Sequence, residues 1–134
     1  MIIRLTKEQI LLIIEDARKK YPLENCGILF GDINSTEAVV RKIVVTHNIL
    51  ESSTNFQIDP EEFLKALLGA EKESMQLIGF FHSHPAKPQP SKIDLQYMKF
   101  WPESIGLIIS SIDYNIAAYQ TINNKFRRII MKVK

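Results

Sequence analysis

Two kinds of apolar spacing alternate along the chain, and together they predict helices and strands. Near the start, apolar residues recur every three or four positions, which is typical of an amphipathic helix: Ile10, Ile13, Ile14 and Ala17. Thr6 and Gln9 precede them in the order of a capping box, and Pro22 should end the helix. A second helix is predicted over residues 59–74, because its Asp-Pro start supplies an N-cap followed by proline.

Short runs rich in β-branched and aromatic residues predict the strands. These runs are separated by turn-forming or polar residues, and they cover residues 26–30, 38–46, 56–58, 77–81, 105–110, 116–121 and 126–133. A third helix should run from Ser91 to near Trp101, which precedes a proline. Helices alternating with strands indicate an α/β protein with a mixed β-sheet flanked by helices. The length of 134 residues suits a single domain, residues 1–134, with its own hydrophobic core.

Composition narrows the classes of function. Apolar residues make up 46% and charged residues 24% of the chain, as in a soluble globular protein. The net charge of +2 and the isolated pair Arg127-Arg128 do not indicate nucleic-acid binding. No apolar run is long enough to cross a bilayer, so no membrane partner is expected. An early charged N-terminus without a secretory pattern, together with the single cysteine Cys26, favours a cytoplasmic location.

The strongest chemical signal is a pair of histidines that follows the predicted strand at residues 77–81. On an extended segment, residues two positions apart point to the same face. His82 and His84 can therefore present two imidazole nitrogens to one ion, while Ser83 points away. A single histidine here would be interpreted more simply as a satisfied core residue. A pair at this spacing, leaving an apolar strand, favours a metal site.

The segment Ser91-x-x-Asp94 allows two interpretations. It is an ordinary capping-box pattern, in which the helix dipole would stabilise Asp94 without any metal. The preceding loop 85–90 is short and contains three prolines, so it can also bring the start of this helix back over the two histidines. Asp94 would then join His82 and His84 as a third ligand. Such a set leaves a fourth position open, as in a catalytic zinc site or a non-haem iron site.

Hydrolysis at such a site needs a base, and Glu24 is the best candidate. It lies just before the predicted strand at residues 26–30, although an ordinary turn carboxylate would look the same in sequence. Cys26 is less suited to be a nucleophile, because its apolar neighbours should raise the pKa of its thiol. His47 ends another predicted strand, far in sequence from the histidine pair, and ranks below Asp94 as a third ligand.

Two motifs together resemble the JAMM signature of the JAB1/MPN/Mov34 zinc metalloprotease family. His-Ser-His-Pro at 82–85 and Ser-x-x-Asp at 91–94 match it, with seven positions from the second histidine to the serine. Pro-x-Glu-x-Cys-Gly-x-Leu-x-Gly at 22–31 resembles the segment that carries the family's catalytic glutamate, and Thr-His-Asn at 46–48 resembles its His-Asn strand end. The element order agrees as well, so the resemblance covers residues 5–119. It implies a JAB1/MPN-like fold with the layering of cytidine deaminases, in the compact prokaryotic or archaeal form.

The resemblance also implies a role for each matching residue. His82, His84 and Asp94 would hold one catalytic Zn²⁺. Glu24 would act as general base and acid, and the Ser91 hydroxyl would donate a hydrogen bond to the oxyanion of the intermediate. The family hydrolyses the isopeptide or peptide bond after the C-terminal Gly-Gly of ubiquitin or a ubiquitin-like modifier. The expected partner is therefore a ubiquitin-like protein or its conjugates.

Two alternatives stay open beside this zinc isopeptidase. The enzyme could process the C-terminus of a sulfur-carrier ubiquitin-like protein instead of cutting an isopeptide bond. The chain could also be a non-catalytic MPN interaction scaffold, although it keeps all five motif positions. A nucleoside deaminase is excluded, because its zinc site needs more cysteines than the one in this chain. Phe100 and Trp101 fit a core position or a homodimer contact better than a substrate platform.

Overall fold

The computed structural model describes residues 1–134, except for the side chain of Tyr97. Along this described chain the elements follow one another in the order β1 (Ile2–Leu5), α1 (Lys7–Lys20), β2 (Cys26–Ile33), β3 (Glu37–Thr46), α2 (Pro60–Lys72), β4 (Gln76–His84), α3 (Lys92–Met98), β5 (Ile105–Ser110), β6 (Ile116–Ile122) and β7 (Lys125–Val133). Within the described residues, none of the helices is both long enough and apolar enough to cross a membrane.

The strands form one closed barrel in the order β1-β3-β2-β4-β5-β6-β7. β1 closes the barrel, because this short strand runs parallel to both β3 and β7. β2 is antiparallel to β3 and β4, and β6 is antiparallel to β5 and β7, whereas β4 and β5 are parallel. The predicted fold class, a mixed sheet flanked by helices, is confirmed. Closure of the sheet into a barrel is an additional finding.

Alternating side chains of the central strands divide the core into two apolar clusters. On one face, Leu29 and Phe81 pack with Ile13 of α1. On the other face, Phe30 and Phe80 pack with apolar residues of α2 and α3. Each fully buried side chain of this size stabilises the fold by about 1.5–3 kcal/mol. The two clusters therefore hold α1 on one side of the strands and α2 and α3 on the other.

Two strand segments differ from the prediction. The apolar pattern does not predict β1, because four residues beside the helix start are too few to show an alternation. The predicted strand at 56–58 is wrong, since this segment forms only a single bridge, between Ile58 and Asn48. Its backbone binds the start of the same loop, because the Gln57 N–H donates to Asn48 Oδ1 over 3.1 Å and the Gln57 carbonyl accepts from the Ile49 N–H over 3.0 Å.

The helix starts follow the predicted capping chemistry, whereas one helix end does not. Thr6 and Gln9 form the capping box of α1, and the Asp59 side chain caps α2. α3 ends at Met98, which corrects the predicted end near Trp101. The Trp101 N–H instead donates to the Met98 carbonyl over 3.0 Å in a turn. Proline after Trp101 explains this, because a residue before proline avoids the α conformation.

Gly79 lies where β4 and β5 approach closely. A Cβ at Gly79 would lie 1.7 Å from the carbonyl oxygen of Ile105, a backbone atom that cannot easily move aside. We expect Gly79→Ala to destabilise the protein by about 3 kcal/mol or more. The matched control is Gly69→Ala in α2, where nothing lies within 4 Å, and it should stabilise the helix by about 0.5–1 kcal/mol. Equal urea midpoints for the two variants would contradict this prediction.

Cys26 is a core thiol, as the sequence predicts. It is fully buried, its Sγ lies 3.4 Å from Thr46 Oγ1, and burial raises the pKa of its thiol to about 11. At neutral pH only about one molecule in ten thousand then carries the reactive thiolate. We expect iodoacetamide to label Cys26 after denaturation but not in the folded protein, as measured by mass spectrometry. Labelling of both forms at the same rate would show that the thiol is accessible.

Candidate active site

β4 carries two histidines on the same face of the barrel. His82 and His84 are 5% and 9% exposed, and both belong to the strand itself. β4 is paired on both sides, with Cys26 of β2 and Ile108 of β5 opposite His82. The Ser111 backbone N–H donates to the His84 carbonyl over 2.7 Å, which holds the end of the strand. Neighbouring strands on both sides of β4 therefore set the backbone positions of the two imidazoles.

Asp94 reaches the histidines from the first turn of α3. It is 4% exposed. Its Oδ1 lies 3.1 Å from His82 Nε2, and its Oδ2 lies 3.1 Å from His84 Nε2. The two ring nitrogens are themselves 3.0 Å apart. The loop 85–90 thus brings the start of α3 over the end of β4, so the structure places these three predicted site residues together.

The three groups have the geometry of a tetrahedral metal site. Ligand bonds of about 2.0–2.1 Å at tetrahedral angles place neighbouring ligand atoms about 3.3 Å apart. The separations of 3.0 and 3.1 Å among the ring nitrogens and carboxylate oxygens are close to this value. Two imidazoles with one carboxylate are the donor set of a catalytic zinc site or a non-haem iron site. The residues present therefore fit a metal ion that keeps an open coordination position.

Glu24 lies beside this donor set because of strand register. Cys26 pairs with His82, and continuing this antiparallel register by two residues places Glu24 opposite His84. Glu24 and the two histidines offer ligand atoms within 4.8 Å of one another. Glu24 is 3% exposed, and its Oε1 has no hydrogen-bond partner among the described residues. Burial is the largest effect on this carboxyl and raises its pKa to about 8. The charge of His84 lowers the pKa, and the charge of Asp94 adds a smaller increase.

Burial and hydrogen bonding oppose each other at the three candidate ligands. At Asp94, burial alone would raise the pKa, but hydrogen bonds from both imidazoles and from the Ser91 N–H hold that pKa well below its ordinary value. At His82, burial outweighs the attraction of Asp94 and lowers the pKa of the imidazole. At His84, burial also lowers the pKa of the imidazole, but the contacts with Asp94 and Glu24 outweigh burial, so the pKa is raised overall. An ionised Asp94 and a neutral His82 are the forms of these side chains that bind metals.

Ser91 is exposed at the start of α3 and forms a capping box with Asp94. Its backbone N–H donates to Asp94 Oδ2 over 2.8 Å, and its Oγ accepts from the Asp94 backbone N–H over 3.1 Å. The Ser91 Oγ acts only as an acceptor in this contact, so its own proton is left to donate elsewhere. Asp94 Oδ2 also contacts His84 Nε2, so the same oxygen takes part in the helix cap and in the contact with the histidine.

The sequence does not predict some of the residues that hold the histidines and Glu24 in place. Phe56 stacks on the His82 ring, with ring centroids 4.4 Å apart and an interplanar angle of 21°. Ser83 points to the opposite face, where its Oγ accepts a hydrogen bond from the Asn25 backbone N–H over 2.9 Å. The serine between the two histidines was the available signal for this tie between β4 and β2. No spacing signal connects Phe56, in a polar loop, with His82.

His47 and the aromatic pair at the end of α3 lie outside this constellation. His47 is exposed, and its backbone N–H donates to the Glu62 carboxylate. Its lower rank as a ligand therefore agrees with its position. Trp101 is half-buried and packs against Phe63, with ring centroids 5.1 Å apart, at the edge of one apolar cluster. Phe100 is 79% exposed.

Comparison with known proteins identifies relatives of this chain. The family model for prokaryotic homologs of the JAB domain matches residues 6–124. A protein from Pyrococcus furiosus named Desampylase is 48% identical over 89 residues, which cover 66% of this chain and 60% of that protein. A second Desampylase, from Haloferax volcanii, is 31% identical over 121 residues, which cover 90% of this chain and 85% of that protein.

A solved structure has the same fold. The solution structure of a protein from Desulfitobacterium hafniense matches with a TM-score of 0.87 and 30% identity, over 100% of this chain and 93% of that one. Together these matches confirm the predicted resemblance to the JAB1/MPN family and the prediction of a JAMM-type hydrolase. The chain belongs to the family of prokaryotic homologs of the JAB domain.

Proposed function

We propose that the protein is a zinc-dependent isopeptidase or peptidase that hydrolyses the bond after the C-terminal Gly-Gly of a ubiquitin-like modifier. One observation carries this proposal. The buried Glu24 carboxylate, with an oxygen that has no partner among the described residues, lies within 4.8 Å of the His82 and His84 nitrogens. The two relatives named Desampylase support a ubiquitin-like protein or its conjugates as the substrate. We expect the protein to act in the cytoplasm.

His82, His84 and Asp94 would hold one zinc ion and leave a fourth position open. When bound, the ion would polarise the scissile carbonyl and lower the pKa of the attacking water. The hydrogen bond from the Ser91 N–H orients the Asp94 carboxylate, and the stacked Phe56 ring orients the His82 imidazole. Removal of a contact that orients a metal ligand commonly lowers the metal affinity by about 10- to 100-fold.

Glu24 would move one proton between the two halves of the reaction. In the first half, its carboxylate accepts a proton from the water as the new C–O bond forms at the carbonyl carbon. In the second half, the carboxylic acid gives this proton to the amine nitrogen as the C–N bond breaks, which releases a free amine and the new C-terminal carboxyl group of the modifier; that carboxyl group then loses the second water proton to solvent. Burial raises the pKa of Glu24 to about 8, which is close enough to neutrality for both transfers.

Ser91 would donate a hydrogen bond to the oxyanion that forms when water attacks. Its Oγ accepts from the Asp94 backbone N–H, which orients the hydroxyl and leaves its proton available. Ser91 is exposed, so a substrate can approach this hydroxyl directly. A single donor of this kind contributes about 10²- to 10³-fold to kcat.

Two substrates that carry the same ubiquitin-like modifier test the proposal. One joins the modifier to a lysine side chain, and the other is a linear fusion. We expect cleavage of the lysine conjugate after the C-terminal glycine, loss of activity with a chelator, and recovery when Zn²⁺ is added. Cleavage of the linear fusion alone would favour processing of a sulfur-carrier protein. No cleavage and no bound zinc in metal-supplemented protein would favour an interaction scaffold.

Glu24→Gln should separate the chemistry from folding and metal binding. The amide cannot accept the proton, so kcat should fall by about 10²- to 10⁴-fold. The melting temperature should not fall, because the raised pKa of about 8 leaves the buried Glu24 side chain largely uncharged at neutral pH, and the amide of Gln has nearly the same shape. The zinc content, measured by mass spectrometry, should equal that of the wild type, whereas His82→Ala should lose the metal. Retention of wild-type kcat in Glu24→Gln would exclude Glu24 as the base.

Ser91→Ala should lower kcat by about 10²- to 10³-fold through loss of the oxyanion donor. It should also lower stability by about 1 kcal/mol, because the helix cap is lost. Ser91→Thr keeps both the hydroxyl and the cap, and it is the matched control for steady-state kinetics and thermal unfolding. If Ser91→Ala loses stability but keeps kcat, the role of Ser91 is restricted to capping α3.

A further inference from the structure

One buried side chain, Asn48, organises the polar loop between β3 and α2. It is 5% exposed. Its Nδ2 donates to the carbonyl oxygens of Glu24 and Asn55 over 3.1 and 3.0 Å. Its Oδ1 accepts from the backbone N–H groups of Leu50 and Gln57, each over 3.1 Å. All the hydrogen-bonding capacity of this amide is therefore used on backbone groups.

The loop, residues 48–57, binds both backbone groups of Glu24. The Glu24 N–H donates to the Ser52 carbonyl over 2.8 Å, and the Glu24 carbonyl accepts from Asn48 Nδ2. Glu24 lies before the first residue of β2, so the strand ladder does not bind these groups. The position of the proposed base therefore depends on the loop as well as on the barrel.

The same loop places an aromatic ring on a candidate metal ligand. Phe56 stacks on His82 at a centroid distance of 4.4 Å. The residues on either side of Phe56 are Asn55 and Gln57, and both are bound by the Asn48 amide. A change at Asn48 would therefore act on Phe56 and on Glu24 together.

We propose that Asn48 is a positioning residue. Its amide fixes the position of the Glu24 carboxylate relative to the His82 imidazole. The inference rests on the proposed hydrolysis, because it gives Asn48 an effect on kcat. The Asn48 side chain acts through the Glu24 carbonyl and through Phe56, at a distance from the reacting atoms. Such an effect is large because a misplacement of about 1 Å costs about 10²-fold in rate.

Asn48→Asp tests the donor half of the amide. The carboxylate keeps the acceptor bonds from Leu50 and Gln57, but it places an oxygen against the carbonyl oxygens of Glu24 and Asn55. We expect kcat for cleavage of a modifier conjugate to fall by about 10- to 100-fold. KM should be unchanged, because no residue of the substrate-facing surface is altered.

Asn34→Asp is the matched control. The Asn34 Oδ1 accepts backbone hydrogen bonds from Thr36 and Glu37 in the turn between β2 and β3, at the far end of β2 from Glu24. The substitution keeps these acceptor bonds and introduces the same charge as Asn48→Asp. Its kcat and KM should therefore equal those of the wild type.

The ring-proton resonances of His82 in metal-free protein give a readout that does not depend on activity. The Phe56 ring stacked on His82 shields these protons, so a displaced Phe56 changes their chemical shifts. We expect Asn48→Asp and Asn48→Ala to shift these resonances and Asn34→Asp to leave them unchanged. A role in stability alone would lower the melting temperature without this shift.

Wild-type kcat and wild-type His82 resonances in both Asn48 variants would overturn the inference. If the wild-type protein cleaves no conjugate, the proposed hydrolysis fails, while the His82 resonances still decide whether Asn48 positions the imidazole. If Asn48→Ala does not fold, Asn48→Asp decides, because it keeps half of the hydrogen bonds. If neither folds, Phe56→Leu must lower kcat, and a wild-type kcat in that variant would overturn the inference.

Discussion

The antiparallel register between β2 and β4 is the constraint on which the candidate site depends. Cys26 pairs with His82, and two residues further along the same register Glu24 lies opposite His84. Because successive residues of a strand alternate between faces, a slip by one residue would turn both imidazoles toward α1. Two contacts secure the register at this point. The Ser83 N–H donates to the Asn25 carbonyl over 3.2 Å, and the Asn25 N–H donates to Ser83 Oγ over 2.9 Å.

The register also concentrates ionisable groups at one buried end of the barrel, which is unfavourable unless each group has a partner. Asp94 is compensated, because it accepts hydrogen bonds from both imidazoles and from the Ser91 N–H. Glu24 has no such set of hydrogen bonds. Its Oε1 has no partner among the described residues, and burial raises the pKa of its carboxyl to about 8. A buried carboxyl whose pKa is raised in this way, within 4.8 Å of two buried imidazoles, is typical of a functional site.

The sequence predicts those parts of this architecture that depend on neighbouring residues. The capping box of Thr6 and Gln9 and the shared face of His82 and His84 follow from local spacing, and the structure contains both. β1 could not be predicted, because its partners β3 and β7 lie far away in sequence and four residues carry little pattern. The stacking of Phe56 on His82 could not be predicted either, because it depends on the path of loop 48–57 and no periodicity in the sequence indicates it.

The two carboxylates of the site illustrate this difference between local and long-range structure. The pattern Ser91-x-x-Asp94 allowed a helix cap or a ligand, and the geometry contains both contacts on one carboxylate, because Asp94 Oδ2 accepts from the Ser91 N–H and faces His84 Nε2. The cap thereby fixes the rotamer that points Asp94 at the histidines, so local sequence encodes this carboxylate. The direction of Glu24 depends instead on strand register and on loop 48–57. A change in either distant element therefore acts on the base, while the cap continues to hold Asp94.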